Sequence, residues 1–263
     1  MDDRALYVYG VVLRSAAAAD VFDDVRGVDP SEPVTLVDDG DVAAIVSAVR
    51  LDEFGDDVIQ ENLRDPRWLA EKARAHDDVL RAAVGRTTVL PFRFGAIYRD
   101  EQHVVDLLRE RTDFPSTLRR LNGAVELGVK TLVDTAALRE RLAADQENGD
   151  DVSAGRAYMQ RKQRERELDE EVDRFATECA ERSHERLATV AKAARINAVQ
   201  AVDDPSRPRR TILNAAYLVD AADEPRFREE VAAVARDHAE QGVEYELTGP
   251  WPPYNFAEGE EQS

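Results

Sequence analysis

Twice in this chain a run of strand-forming residues meets proline. Residues 87–98, Thr-Thr-Val-Leu-Pro-Phe-Arg-Phe-Gly-Ala-Ile-Tyr, carry Pro91, and the alternating Val243, Tyr245 and Leu247 lead into Thr248-Gly-Pro-Trp-Pro-Pro-Tyr-Asn-Phe256. Proline gives no N–H to a ladder and locks its own φ, so neither stretch fits the centre of a sheet. Each is expected at a sheet edge or a bulge, and the second should leave its ladder as a stiff, extended segment. Trp251, Tyr254 and Phe256 on that rod offer a large apolar area whose ordering costs little entropy. Such a segment suits either a strap over the chain's own core or a docking surface for another protein.

The order of elements before each proline-bearing stretch agrees with an edge position. Residues 6–12 are β-branched and aromatic and read as a buried first strand. Ser15 can cap a helix running to about residue 24. Strands at 34–37 and 42–49 flank Asp38-Asp39-Gly40-Asp41, where Asp-Gly supplies the positive φ of a tight hairpin. After a polar stretch at 52–64, Asp65-Pro66 opens a helix with a carboxylate cap followed by proline in the first turn. Leu69, Ala73, His76, Leu80 and Ala83 give that helix one apolar stripe, ended by Gly85. The strand at 87–98 and a helix at 101–120 close a β-α-β-β-α-β unit, whose split βαβ sheet places its last strand at an edge.

The second half repeats this order. Val125, Leu127, Val129, Thr131 and Val133 alternate with Glu126, Gly128 and Lys130 as a half-buried strand. The acidic, glycine-broken residues 145–155 read as a flexible insertion. A long helix at 156–194 carries the stripe Leu168, Val172, Phe175, Cys179, Leu187 and Val190, and strands at 196–202 and 211–219 follow. A helix at 224–241 and the strand ending at Leu247 complete the unit. The expected fold is α+β, two ferredoxin-like units in tandem at 1–121 and 122–263, the second with the long helix and the aromatic, proline-bearing strap. The repeat lies in the architecture and not in residue identity.

Charge narrows the partners. Asp and Glu number 54 against 35 Lys and Arg, a net charge of −19, and only Lys72, Lys130, Lys162 and Lys192 are lysines. That balance argues against a nucleic-acid partner, which requires a cationic surface. Concentrated salt would screen the self-repulsion, so the composition resembles that of a salt-in halophile. No apolar run is long enough to span a membrane. Cys179 has no second cysteine to pair with and the N-terminus shows no secretory pattern, so a cytoplasmic location is expected.

Catalytic patterns are missing. The sequence has no phosphate-binding loop, no G-x-G-x-x-G after a strand and no G-x-S-x-G elbow. His76, His103, His184 and His238 lie far apart, without metal-ligand spacing. Cys179 reads as a small core residue and His76 as a packed, hydrogen-bonded one. No catalytic, cofactor or metal site is expected.

Three segments in order, Tyr7-Val-Tyr-Gly-Val-Val12, Val89-Leu-Pro-Phe-Arg-Phe-Gly95 and Leu247-Thr-Gly-Pro-Trp-Pro-Pro-Tyr-Asn-Phe256, resemble the gas vesicle accessory proteins of the GvpF/GvpL family. Gly155-Arg-Ala-Tyr-Met-Gln-Arg-Lys162 and His76 are similar to that family too, and the length suits its longer, haloarchaeal GvpL type. The resemblance implies a non-enzymatic, two-domain α+β protein of gas vesicle assembly. It would bind the hydrophobic shell protein GvpA and other accessory Gvp proteins, as a minor vesicle component or as a nucleation or chaperone factor in the cytoplasm. An apolar groove or free sheet edge can shield a shell subunit's apolar face. The candidate partner-binding residues are Pro91, Phe92, Arg93, Phe94, Trp251, Tyr254 and Phe256. The fold alone also admits a ferredoxin-like tandem that binds a small effector or acts as an enzyme.

Overall fold

The structure is a computed structural model that describes residues 4–16, 19–84, 86–145, 154–199 and 209–257. It divides into two compact units, one of Met1–Glu126 with Pro250–Ser263 and one of Leu127–Gly249. The expected division at 121/122 therefore moves a few residues, and the last stretch of chain joins the first unit instead of the second.

In the first unit, β1 (Arg4–Leu13), β2 (Val34–Asp39), β3 (Val42–Arg50), β4 (Val89–Pro91) and β5 (Ile97–Tyr98) make one sheet in the order β2-β3-β1-β4, with β5 also paired to β1. This is the ferredoxin-like order, with the proline-bearing β4 at an edge. Strand β1 is central, and Tyr7, Val8, Tyr9, Val11 and Val12 are all buried, which is why it reads as a continuous apolar run. Gly40, at φ 58°, closes the β2–β3 hairpin as Asp-Gly foretold. Gly10 faces Pro91 across the β1–β4 ladder, and a Cβ there would lie 2.7 Å from the Leu90 carbonyl oxygen. Only glycine permits so close an approach.

Helices α1 (Leu51–Phe54), α2 (Asp56–Asn62), α3 (Pro66–Val84), α4 (Glu101–Glu110) and α5 (Phe114–Leu121) complete this unit. Three expectations change. The helix expected at 15–24 is replaced by short 3₁₀ turns at Arg14–Ala16 and Ala19–Phe22. Among the residues whose burial is described there, Val21 and Phe22 are the buried ones. The polar stretch at 52–64 forms α1 and α2. The single helix expected at 101–120 is two, because Asp113-Phe114-Pro115 starts a new one after α4 has ended at Glu110. Gly85 and its role in ending α3 lie outside the described residues.

The stretch at 87–98 is likewise interrupted. After Pro91, the Phe92 N–H donates to the Tyr9 carbonyl at 2.8 Å, and pairing resumes only where Val8 N–H meets the Ala96 carbonyl at 2.8 Å. Gly95, at φ 89°, turns the intervening loop. Arg93 and Phe94 thus leave the ladder, the bulge that Pro91 made necessary.

In the second unit, β6 (Ala124–Asp134), β7 (Ala193–Ile196), β8 (Arg209–Asp220) and β9 (Val243–Trp251) take the order β7-β8-β6-β9, the same permutation as in the first. Helices α6 (Thr135–Asp145), α7 (Ala154–Ala188) and α8 (Glu224–Asp237) accompany them. Leu127, Val129, Leu187, Leu213, Tyr217, Phe227 and Val231 form the core. Val172, Ala176, Cys179, Ser183 and Leu187 are the buried stripe of α7, at three- and four-residue spacing.

Helix α7 ends at Ala188, short of residue 194, and β7 occupies 193–196 instead of 196–202. Helix α6 was not foreseen; the Asp134 carboxylate starts it by accepting the N–H groups of Ala136 and Ala137 at 3.1 and 3.0 Å. The insertion expected at 145–155 falls mostly on residues 146–153, outside those described, as do residues 200–208. No helix among the described residues is long and apolar enough to cross a membrane.

Candidate partner-binding site

The first unit brings the two proline-bearing stretches together. After β9, Pro252, Pro253 and Phe256 are buried, so the strap does cover the unit's own core. Three polar anchors hold it. The Asn255 backbone N–H and side-chain amide donate to the two carboxylate oxygens of Glu126 at 2.8 and 2.6 Å. Arg120 donates to the Phe256 carbonyl at 2.8 Å. His76 Nε2 lies 3.1 Å from the Tyr254 hydroxyl. Trp251 sits beneath Arg81, whose guanidinium carbon is 5.8 Å from the ring centre.

Glu126 is a correction to the strand pattern. Alternation put it on an exposed face, but it is buried, because the strap lies over it and its fork to Asn255 satisfies the carboxylate. Burial raises its pKa, and the hydrogen bonds from Asn255 oppose that shift.

His76 is buried in α3, as its place on the apolar stripe implied. The Tyr7 hydroxyl oxygen accepts the Gly95 N–H at 3.0 Å and lies 2.9 Å from His76 Nδ1. With Tyr7 donating to Nδ1 and Nε2–H donating to Tyr254, both nitrogens of a neutral ring are paired. The network links the central strand, the loop after Pro91, α3 and the strap. Burial drives the imidazole pKa down to about 4, against the opposing effect of a hydrogen bond to the Phe92 backbone, so the ring is neutral near pH 7.

Above this network a groove of about 550 Å³ opens between the loop after β4 and the strap. Leu90, Pro91, Phe92, Arg93 and Phe94, with Gly95 and Ala96, form one side; Tyr254, Asn255 and Ala257 form another; Arg111, which follows α4, and Phe114, which starts α5, close it. Phe92 meets Phe114 edge-on at 6.1 Å between centroids, and Phe94 packs similarly on Tyr7, Trp68 and His76 at 6.0, 6.3 and 6.0 Å. Five of the seven candidate residues line this groove. Trp251 and Phe256 do not: they hold the strap down.

Arg111, Phe114 and Asn255 escaped the sequence reading. The first two were hidden inside what read as one continuous helix, whereas Asp113-Phe114-Pro115 was the available signal of a new helix start. No group of three or more His, Cys, Asp or Glu that could hold a metal ion occurs among the described residues.

The family described as "Gas vesicle synthesis protein GvpL/GvpF" matches residues 5–258, nearly the whole chain. The chain belongs to the GvpL/GvpF family. Gas vesicle protein L of Streptomyces sp. (strain CB03234) is 35% identical, over 97% of this chain and 93% of that protein. Gas vesicle protein F1 of Halobacterium salinarum is 28% identical, over 96% and 92%. Among solved structures, GvpF from Anabaena sp. PCC7120 superposes with a TM-score of 0.71 at 20% identity, covering 99% of this chain and 98% of that one. GvpF from Microcystis aeruginosa gives 0.67 at 21% identity, covering 97% and 99%. The two-sheet α+β architecture with its long helix is thus the fold of these GvpF structures, and the chain is a gas vesicle accessory protein by family.

Proposed function

We propose that this protein acts in gas vesicle assembly by holding the hydrophobic shell protein GvpA, alone or with other accessory Gvp proteins, before the shell subunit joins a growing wall. The observation that supports this reading is the convergence of Phe92, Phe94, Phe114 and Tyr254 on one groove. A shell subunit's apolar face aggregates unless something covers it, and an aromatic groove at a sheet edge supplies a cover without catalysis. In this reading the protein is not an enzyme and works in the cytoplasm, at the forming vesicle, as a chaperone or nucleation factor. The 35% match to a protein L favours the GvpL type.

Pro91, Phe92, Arg93, Phe94 and Tyr254 carry the contact in this reading, while Trp251 and Phe256 secure the strap. Capture of tagged GvpA by Phe92→Ala and Phe94→Ala chains tests it. Each should retain less than about a tenth of normal capture, since a central aromatic anchor contributes upward of about 2 kcal/mol to binding. Undiminished capture by both folded variants would refute the groove as the contact.

A further inference from the structure

The described lining of the groove pairs aromatic rings with arginine. In a protein with 54 acidic and 35 basic residues, the described residues lining it include Arg93 and Arg111 and no Asp or Glu. Arg93 is exposed. The guanidinium of Arg111 is oriented by its place 4.8 Å over the Phe114 ring and by Asp113, whose carboxylate accepts from it at 2.9 and 3.1 Å. That pair is about half exposed on both sides, so little free energy opposes exchanging its carboxylate for another.

We infer that the groove takes an apolar polypeptide segment bearing a carboxylate side chain, the apolar part against Phe92, Phe94 and Phe114 and the carboxylate on Arg93 and Arg111. This rests on the reading of the groove as a partner-binding site and names the chemistry of its occupant. Guanidinium groups pair with carboxylates by two parallel hydrogen bonds, and pairing beside aromatic rings is less screened than on an open surface. A polyanion such as nucleic acid suits the place poorly, because the wall is mostly apolar and the protein's net charge of −19 repels it. A single carboxylate set in an apolar segment matches both features. Against an acidic protein, those two arginines also choose the register in which the segment lies.

The test uses the full chain and synthetic peptides tiled along GvpA. Each peptide is made in its natural form and with every Asp and Glu replaced by Asn and Gln, and binding is read by fluorescence anisotropy. At least one apolar, acid-bearing peptide should bind, its amide form about tenfold more weakly. An Arg93→Gln, Arg111→Gln chain should lose the same factor for the natural peptide and nothing further for the amide form. Binding of the natural peptide should also fall as salt rises from about 0.15 M to 1 M, where screening shortens from about 8 Å to 3 Å.

Equal binding of the two peptide forms would overturn the inference. So would full capture of GvpA by the double-arginine chain while Phe92→Ala abolishes it, although the partner-binding reading would then stand. If neither change affects capture, both fall. A chain ending at Ala257 controls for Glu258, Glu260 and Glu261, which follow directly after a groove residue. A tenfold gain in capture on removing them would assign the arginines to the chain's own glutamates and overturn a partner carboxylate as their occupant.

Discussion

Acidification should weaken the first unit through His76 by an amount the structure sets. The imidazole is buried, with a pKa of about 4 against 6.5 in the unfolded chain. Because the folded value is depressed, the stabilisation is whole above about pH 6.5, is lost as pH falls toward 4, and changes no further below it. Each unit of pKa difference corresponds to about 1.4 kcal/mol, so the ceiling is about 3 kcal/mol and about 2 kcal/mol is gone by pH 5. The hydrogen-bond partners of the ring include the phenols of Tyr7 and Tyr254 and the Phe92 backbone, and Tyr9 and Phe94 pack near it. None of these offers a negative charge to an imidazolium. The neighbouring Asp77, whose own pKa is raised by burial, makes no hydrogen bond to the ring among those described.

Both tryptophans of the chain, Trp68 and Trp251, belong to the first unit, so their fluorescence follows its unfolding in urea. Other carboxylates titrate in the same window, which makes the difference between the natural chain and His76→Gln the quantity to measure. Between about pH 7.5 and pH 5 the natural chain should lose about 2 kcal/mol more than the variant. Parallel pH profiles would refute the burial argument.

Three further outcomes follow from the packing. Glu126→Ala strips the acceptors from Asn255 and should destabilise the first unit by about 2–3 kcal/mol in the same urea assay, with Glu126→Gln milder; equal stability would mean the fork is idle. Gly10→Ala forces a methyl group against the Leu90 carbonyl and should cost about 1–3 kcal/mol and loosen the β1–β4 pairing, seen as faster hydrogen exchange at Phe92; unchanged exchange would refute the close contact. Cys179, buried in α7 with its thiol pKa pushed up by burial, should react with a disulfide reagent about a hundredfold more slowly than in denaturant, and a native rate equal to the denatured one would refute its place in the core.

The repeated architecture was legible because period-2 and period-3.6 patterns followed one another in the same order twice. Pro91 declared an edge by itself, and the edge is where β4 lies. What stayed hidden depended on contacts between residues remote in sequence. Glu126 follows the alternation of an exposed position, yet Asn255, 129 residues later, folds over it. Lys72 also looks like a solvated helical residue, but it is buried, donating to the Val28 carbonyl and pairing with Glu53, both at 2.9 Å. The groove was half legible: the aromatic residues beside proline were visible, while Arg111 and Phe114 lie where the expected single helix stops after Glu110 and restarts at Phe114.

The strap gives the first unit a boundary in time as well as in space. Residues 250–257 are made after the whole of the second unit, yet they form one side of the groove and share Glu126, Arg120 and His76 with the first. On the ribosome the first unit therefore waits, its groove unfinished and Glu126 without Asn255, while the 127–249 segment emerges and folds. A chain released early carries no finished groove, so in the proposed role a shell subunit meets a complete surface only on a chain synthesised through its strap.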